Sequence, residues 1–420
     1  MNSLYRKTKV KGFYEYYRTP CPICGKTGAC MTNEDNSKVV CIRVESDIHF
    51  SKNSALISYL HVLKKDNRNK VNVKEMAEEV NGFPKKDSIT LDTIYHALLD
   101  NLILDDFHYN HLTSNERKLS DEQITIRNYK SFPDKPWTIV KAISNDLGIN
   151  DFQGIPGFYF QNGYWSIAGM KGILIPYRNQ YNQIEGFQYR IDNPPNIVEV
   201  KLNGKEFQAK VIKQPNVVEV KYKGNIIFQG EVPLQKEWTT ITDNNELLGW
   251  IRVKKANRYY WLSSANKPNG TGSGNPAPIH VSIPSTKLKK WVPGTLYKAK
   301  TVWLGEGALK GDIAVDLMAN LYDPLEIDQI GDTFISLPGV GAWRLAIPVL
   351  KEMGVQTINI CFDADAIENV YVKKHLLECA KELKKQKFHA NLIVWKESDG
   401  KGIDDLLLKN KIPNIKRIYL

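Results

Sequence analysis

Acidic residues recur at the ends of apolar, strand-like runs in the last third of this chain, and their order narrows the fold more than any other feature. Glu306 closes KAKTVWLGE, Asp363 and Asp365 close QTINICFDAD, and Asp404 and Asp405 open the short amphipathic stretch IDDLL. DTFISLP and ANLIVWKE are further strands, and LKGDIAVDLMANLY, AWRLAIPVLKEM and AIENVYVKKHLLECAKELKKQ carry helical periodicity. Strand–helix alternation at this spacing predicts an α/β domain with a parallel sheet covered on both faces by helices. Ligand sites in such sheets lie beyond the carboxyl ends of the strands, where Glu306, Asp363 and Asp365 fall. Converging carboxylates repel one another and need a cation. Their hard oxygen atoms select Mg²⁺ or Mn²⁺.

The chain has 420 residues, a net charge of +11 and a pI near 9.1. That balance suits an acidic partner such as nucleic acid, although an ordinary basic protein reads the same way. A divalent-metal carboxylate cluster in a basic protein suggests phosphoryl transfer on nucleic acid. No apolar run is long enough to span a bilayer, and the first residues, MNSLYRKTKVKGFYEYY, lack a signal-peptide core. The expectation is a cytoplasmic protein without membrane contact. GTGSG lacks the Lys-Ser or Lys-Thr of a phosphate-binding loop, so no nucleotide-driven motor is expected.

Four of the six cysteines, Cys21, Cys24, Cys30 and Cys41, fall within a short N-terminal stretch that begins CPICG. In a reducing compartment such clustering indicates metal ligands. Four thiolates satisfy one tetrahedral Zn²⁺ and leave no open position, which makes the site structural. His49 is an alternative ligand. Cys361 and Cys379 lie in a strand and a helix and read as packing residues.

Residues 1–50 thus form a zinc-ribbon-like module. Residues 51–125 read as a helical link, from SALISYLHVLKK, NVKEMAEEV and LDTIYHALLDNLIL, with Ser120 as an N-cap further on. Residues 126–298 form a mixed α+β region with turns at Gly163, Gly169 and QYNQ, and residues 299–420 form the α/β domain. A repeat, PNIVEVKLNGKEFQ and PNVVEVKYKGNIIFQ, marks an insertion at 193–250 that reads as a twinned β-hairpin or a small β subdomain.

Glu306-Gly307 with Lys310 and Asp312, then Asp363-Ala364-Asp365, then Lys401-Gly402-Ile403-Asp404-Asp405 together resemble the motifs of the TOPRIM domain. The cysteine module, the GILIPYR and IEGFQYRID strands and RYYWLSS complete a layout similar to DnaG-type primases, in a branch found in phages, plasmids and genomic islands. The resemblance excludes the repeat. It implies template-directed primer synthesis from NTPs on single-stranded DNA, with a separate replicative helicase. It also implies that Glu306, Lys310, Asp363 and Asp365 are catalytic, and that Glu306, Asp363, Asp365, Asp404 and Asp405 hold Mg²⁺ or Mn²⁺. Glu306 can alternatively act as a general base. Arg178, Arg190, Arg258, Tyr260 and Lys401 would face nucleic acid. Here Gln188-Tyr189-Arg190 replaces the family's Gly-Gly-Arg, and Tyr-Trp-Leu-Ser-Ser replaces Tyr-Leu-Asn-Ser.

Two other readings stay open. One is a TOPRIM metal-dependent nuclease. The other is a non-catalytic single-strand-binding replication accessory. Aromatic residues interleaved with basic ones in RYYWLSS, KEW and GWIRVKK suit base stacking, and half-buried strand aromatics suit the same pattern. Arg190 and Arg258 also read as ordinary surface charges, and Lys310 as a solvated helix residue.

Overall fold

The computed structural model describes residues 4–8, 10–51, 57–63, 73, 77–78, 83–234, 237–274, 276–364 and 370–418. The chain is a mixed α/β protein that divides into two compact units. One comprises residues 1–169, 175–187 and 262–420, and the other residues 170–174 and 188–261.

The larger unit holds a six-stranded sheet. Its spatial order is His280–Ser282, Phe334–Leu337, Thr301–Glu306, Thr357–Ile360, His389–Val394, Asn414–Arg417. The four inner strands run parallel and both edge strands antiparallel. The all-parallel expectation is therefore corrected at the edges. Most of the chain's other pairings are antiparallel as well. The inner strands alternate side chains between two packed faces, as period-two geometry requires. Val302, Leu304, Ile335, Leu337, Ile358 and Ile360 pack towards Leu350, Leu376 and Leu383. Trp303, Phe334 and Cys361 pack the other way, against Ala314, Met318 and Leu407. Cys361 and Cys379 are buried, as packing residues should be.

Gly307 makes the turn between the central strand and the Ala308–Leu321 helix, at φ +90°. One turn on, a Cβ at Gly311 would lie 2.6 Å from Ser336 Oγ and 2.8 Å from Phe334 Cδ1. Only glycine lets that helix lie so close to the sheet.

The four-cysteine module belongs to the same unit and differs from expectation at its end. Ser58–Val62, read as helix within SALISYLHVLKK, is a strand paired with Lys38–Cys41. A short apolar run carries no clear period, and the unpaired edge of the module's sheet decides it. In NVKEMAEEV only Val73, Ala77 and Glu78 are described, and Ala77–Glu78 pairs with Tyr5–Lys7. The helical link begins at Ser88–Asp100. Ser120 caps the Asp121–Arg127 helix in a capping box closed by Gln123, not by the neighbouring Glu122.

The smaller unit contains two three-stranded antiparallel sheets around one core. Ile197–Leu202, Glu246–Lys254 and Thr239–Asp243 form one sheet, and Gln208–Lys213, Val217–Tyr222 and Asn225–Glu231 the other. Phe207, Val218, Val220, Val232, Ile241, Leu248, Ile251 and Val253 fill the space between them. The two copies of the repeat pair differently within this β unit. The second copy of the repeat folds on itself. The strands of the first copy separate, Ile197–Leu202 pairing with Glu246–Lys254 and Gln208–Lys213 with Val217–Tyr222. Equivalent asparagines at the head of each copy still donate to backbone carbonyls farther along the chain. Asn196 donates to Pro215 O at 2.8 Å and Asn216 to Val232 O at 3.0 Å.

Candidate metal and nucleic-acid sites

Three neighbouring parallel strands end in one place. Glu306 ends its strand, and its carboxylate lies beside Gly339, where a Cβ would be 3.8 Å from Oε1. Asp363 follows the adjacent strand, and Lys310 rises from the first turn of the Ala308–Leu321 helix to form an ion pair with it. Lys310 lies alongside Gly402, where a Cβ would meet its Cε at 2.9 Å. Burial opposes the charge of Lys310, but Asp363, Asp404 and Glu306 outweigh it and hold its pKa above the ordinary lysine value.

Asp404 is buried on the Ile403–Leu408 helix and accepts from Arg117 at 3.0 Å. Burial, helped by Asp405, pushes its carboxyl up against the pull of Lys310 and Arg117. Asp405 turns back to cap its own helix, accepting the Gly402 N–H at 3.1 Å. The loop before it is pinned by Trp395, whose indole N–H donates to Gly400 O at 2.8 Å. Asp365 lies outside the described residues.

Two residues beyond Lys310, the same helix carries a sealed counterpart. Arg127 donates to Asp312 Oδ1 and Asp316 Oδ2, both at 2.7 Å, and Tyr129 Oη–H donates to Asp312 Oδ2 at 2.6 Å. The Arg178 backbone N–H donates to His280 Nδ1 at 2.9 Å, which leaves the Nε2 proton directed at Asp312 Oδ1, 3.1 Å away. Burial alone would raise the Asp312 carboxyl. Arg127, His280 and Tyr129 overcome it and hold the group far below the usual carboxylate range. Asp312 belongs to the acidic motif read from the sequence, and the remaining local signal is Arg127 three residues after Ile124, a cation on the apolar face of its helix.

The four cysteines do come together. Their sulfurs lie within 4.8 Å of one another, and among the described residues no other such group of ligands forms. Cys30 Sγ is 3.7 Å from both Cys24 Sγ and Cys41 Sγ. Tetrahedral Zn–S bonds of about 2.3 Å place sulfurs about 3.8 Å apart, so the set fits zinc. The Arg43 and Val44 backbone N–H groups donate to Cys41 Sγ at 3.4 and 3.3 Å. His49 pairs its ring with Tyr59 instead. Lys374, on the Val370–Lys385 helix, bridges to this module through Glu45 and through Tyr59 Oη at 3.0 Å.

The expected nucleic-acid contacts divide. Arg178 is buried and donates to Asn182, with its pKa lowered by burial, so it offers no solvent-facing charge. Lys401 is exposed, three residues before Asp404 in the sequence. In the smaller unit, one strand pair gathers the others. Tyr189 lies opposite Tyr260, Arg190 opposite Tyr259, and the Arg258 carbonyl accepts the Ile191 N–H at 2.8 Å. Tyr260 and Arg258 are exposed.

Residues 328–413 match the model of a domain of unknown function, DUF3854. No curated protein matches the sequence. Among solved structures, the chain is similar to the zinc-binding and RNA polymerase domains of Aquifex aeolicus primase. There the TM-score is 0.41 and the identity 12%, covering 99% of this chain and 81% of that one. The RNA polymerase domain of Mycobacterium tuberculosis DnaG gives a TM-score of 0.41 at 10% identity, covering 79% and 85%. A DNA primase domain from Pseudomonas aeruginosa gives 0.40 at 11%, covering 77% and 79%. Among the described residues, no helix is long and apolar enough to cross a membrane.

Proposed function

We propose that the chain is a DNA primase built on a TOPRIM domain, of the kind carried by phages and mobile elements, that joins nucleotides on a single-stranded DNA template. The observation that carries this reading is the Lys310–Asp363 ion pair beyond the carboxyl end of a parallel strand, with Asp404 and Glu306 near enough to act electrostatically on the same ammonium. One carboxylate pairs with the ammonium and two more act on it electrostatically, so the strand ends carry oxygen donors with a cation already drawn towards them. That donor chemistry fits Mg²⁺ or Mn²⁺, which Glu306 and Asp363 would hold, with Asp365 and Asp404 as further ligands. When bound, such an ion acidifies the attacking 3′-hydroxyl and neutralises the pyrophosphate that leaves.

The chain's own residues supply the rest. Lys310 offers a fixed positive charge to the phosphates as it exchanges Asp363 for them. Arg117 offsets the charge of buried Asp404. Asp405 orders the helix that presents Asp404, and Lys401, exposed three residues before Asp404 in the sequence, meets phosphate. Arg190, Arg258 and Tyr260 line the template path. One structural zinc ion on Cys21, Cys24, Cys30 and Cys41 completes the assembly, and a separate helicase and NTPs are its expected partners.

Incubation with a single-stranded circle, labelled NTPs and Mg²⁺ or Mn²⁺ tests the proposal. Short products lost in Asp363→Asn are expected. Template degradation lost in the same variant would replace the primase with a nuclease. Tight binding without either product, unchanged by the substitution, would leave a non-catalytic accessory.

A further inference from the structure

The Glu246–Lys254 strand buries Ile251 and Val253 and turns Trp250, Arg252 and Lys254 to the opposite, outer face. Register fixes their neighbours. Trp250 lies between Lys201 and Thr240, and Arg252 lies opposite Glu199. The Lys201 ammonium sits 5.0 Å from the Trp250 ring centre, and the Arg252 guanidinium 4.6 Å from that of Trp238. Glu199 accepts from Arg252 Nε at 3.1 Å and from Lys254 Nζ at 3.3 Å, which holds both cations upright on the sheet. Trp238 is 39% exposed. The face therefore carries two indoles, three cations and one carboxylate, within a sheet whose other face already buries the unit's core.

We propose that this outer face binds single-stranded nucleic acid, with Trp238 and Trp250 as stacking platforms and Lys201, Arg252 and Lys254 as phosphate contacts. The charge suits a polyanion, and the indoles suit bases, because every base offers a π-face. Trp238 immediately precedes the Thr239–Asp243 strand, and continuing the register of that strand puts it two residues from Trp250, about 7 Å along the sheet. That exceeds the 3.4 Å rise of a stacked strand, so the bases would be splayed onto separate rings. An unpaired, extended strand adopts that form and a duplex does not. Nothing here depends on the strand-end carboxylates.

Binding of labelled oligo-dT to the full-length protein, followed by anisotropy across a salt series, tests the proposal. Trp250→Ala and Trp238→Ala are each expected to weaken binding roughly five- to hundredfold, and Trp250→Phe to restore most of it. Lys201→Ala should lower the salt slope by about 0.7. Asp363→Asn, which removes synthesis, should keep full affinity, so the two readings fail separately. Wild-type affinity in both alanine variants, with unchanged thermal melts, would overturn the proposal. Equal losses for oligo-dT and for polyglutamate would also overturn it, because the face would then be a generic cation patch or a docking site for an acidic protein.

Discussion

One helix carries two charged clusters that are built in opposite ways. Asp312 is sealed among Arg127, Tyr129 and His280, with both carboxylate oxygens occupied. Lys310, two residues earlier, sits at the mouth of the sheet, where a quarter or less of its side chain and of Asp363 stays exposed. The difference teaches how position and chemistry are separated. A buried network whose carboxylate oxygens are all occupied has none left for a ligand, but it fixes the helix on which the ligand-facing group rides. An incompletely paired cluster is poor support, yet it has charges to lend. The four cysteines belong with the sealed type once zinc is bound.

The contrast can be broken from either side. The largest effect is expected at the cysteines: Cys30→Ser should abolish retention of one zinc per chain, read by metal analysis, and leave residues 1–50 sensitive to protease. Next, Asp312→Asn removes one of the two carboxylates that hold Arg127 and should cost about 1.5–3 kcal/mol in denaturant unfolding. Its acid dependence has a definite sign. The Asp312 pKa is depressed on folding, so its stabilisation is complete above the ordinary Asp value near 3.9 and drains away as pH falls below about 4. Wild type should therefore lose stability in that window more steeply than Asp312→Asn. Asp363→Asn should show the reverse pattern, with synthesis reduced by roughly a hundredfold or more and unfolding changed by less than about 1 kcal/mol. The smallest effect belongs to Arg258→Ala, a few-fold loss of template affinity with a shallower salt slope.

The positions of Glu306, Asp363 and Asp404 at element ends were legible because their spacing is local. Each acid ends a strand or opens a helix, and apolar alternation marks those elements without knowledge of their partners. The antiparallel edge strands His280–Ser282 and Asn414–Arg417 were not legible. They are short, and only their neighbours in space make them strands. Arg117, Tyr129 and His280 were missed for the same reason, since their partners lie far along the chain. Arg178 misled in the opposite direction: a cation at the end of a strand reads as surface until packing encloses it. The repeat at 193–250 showed two matched strand pairs, but sequence similarity between copies does not say which strand pairs with which.

The most direct test of the strand-end centre is Mn²⁺ titration of the full-length protein, with free ion followed by electron paramagnetic resonance. The expected result is saturable binding in wild type and in Arg258→Ala, lost in Asp363→Asn at an unchanged melting temperature. Equal Mn²⁺ uptake by wild type and Asp363→Asn would contradict the assignment of these carboxylates as a metal centre.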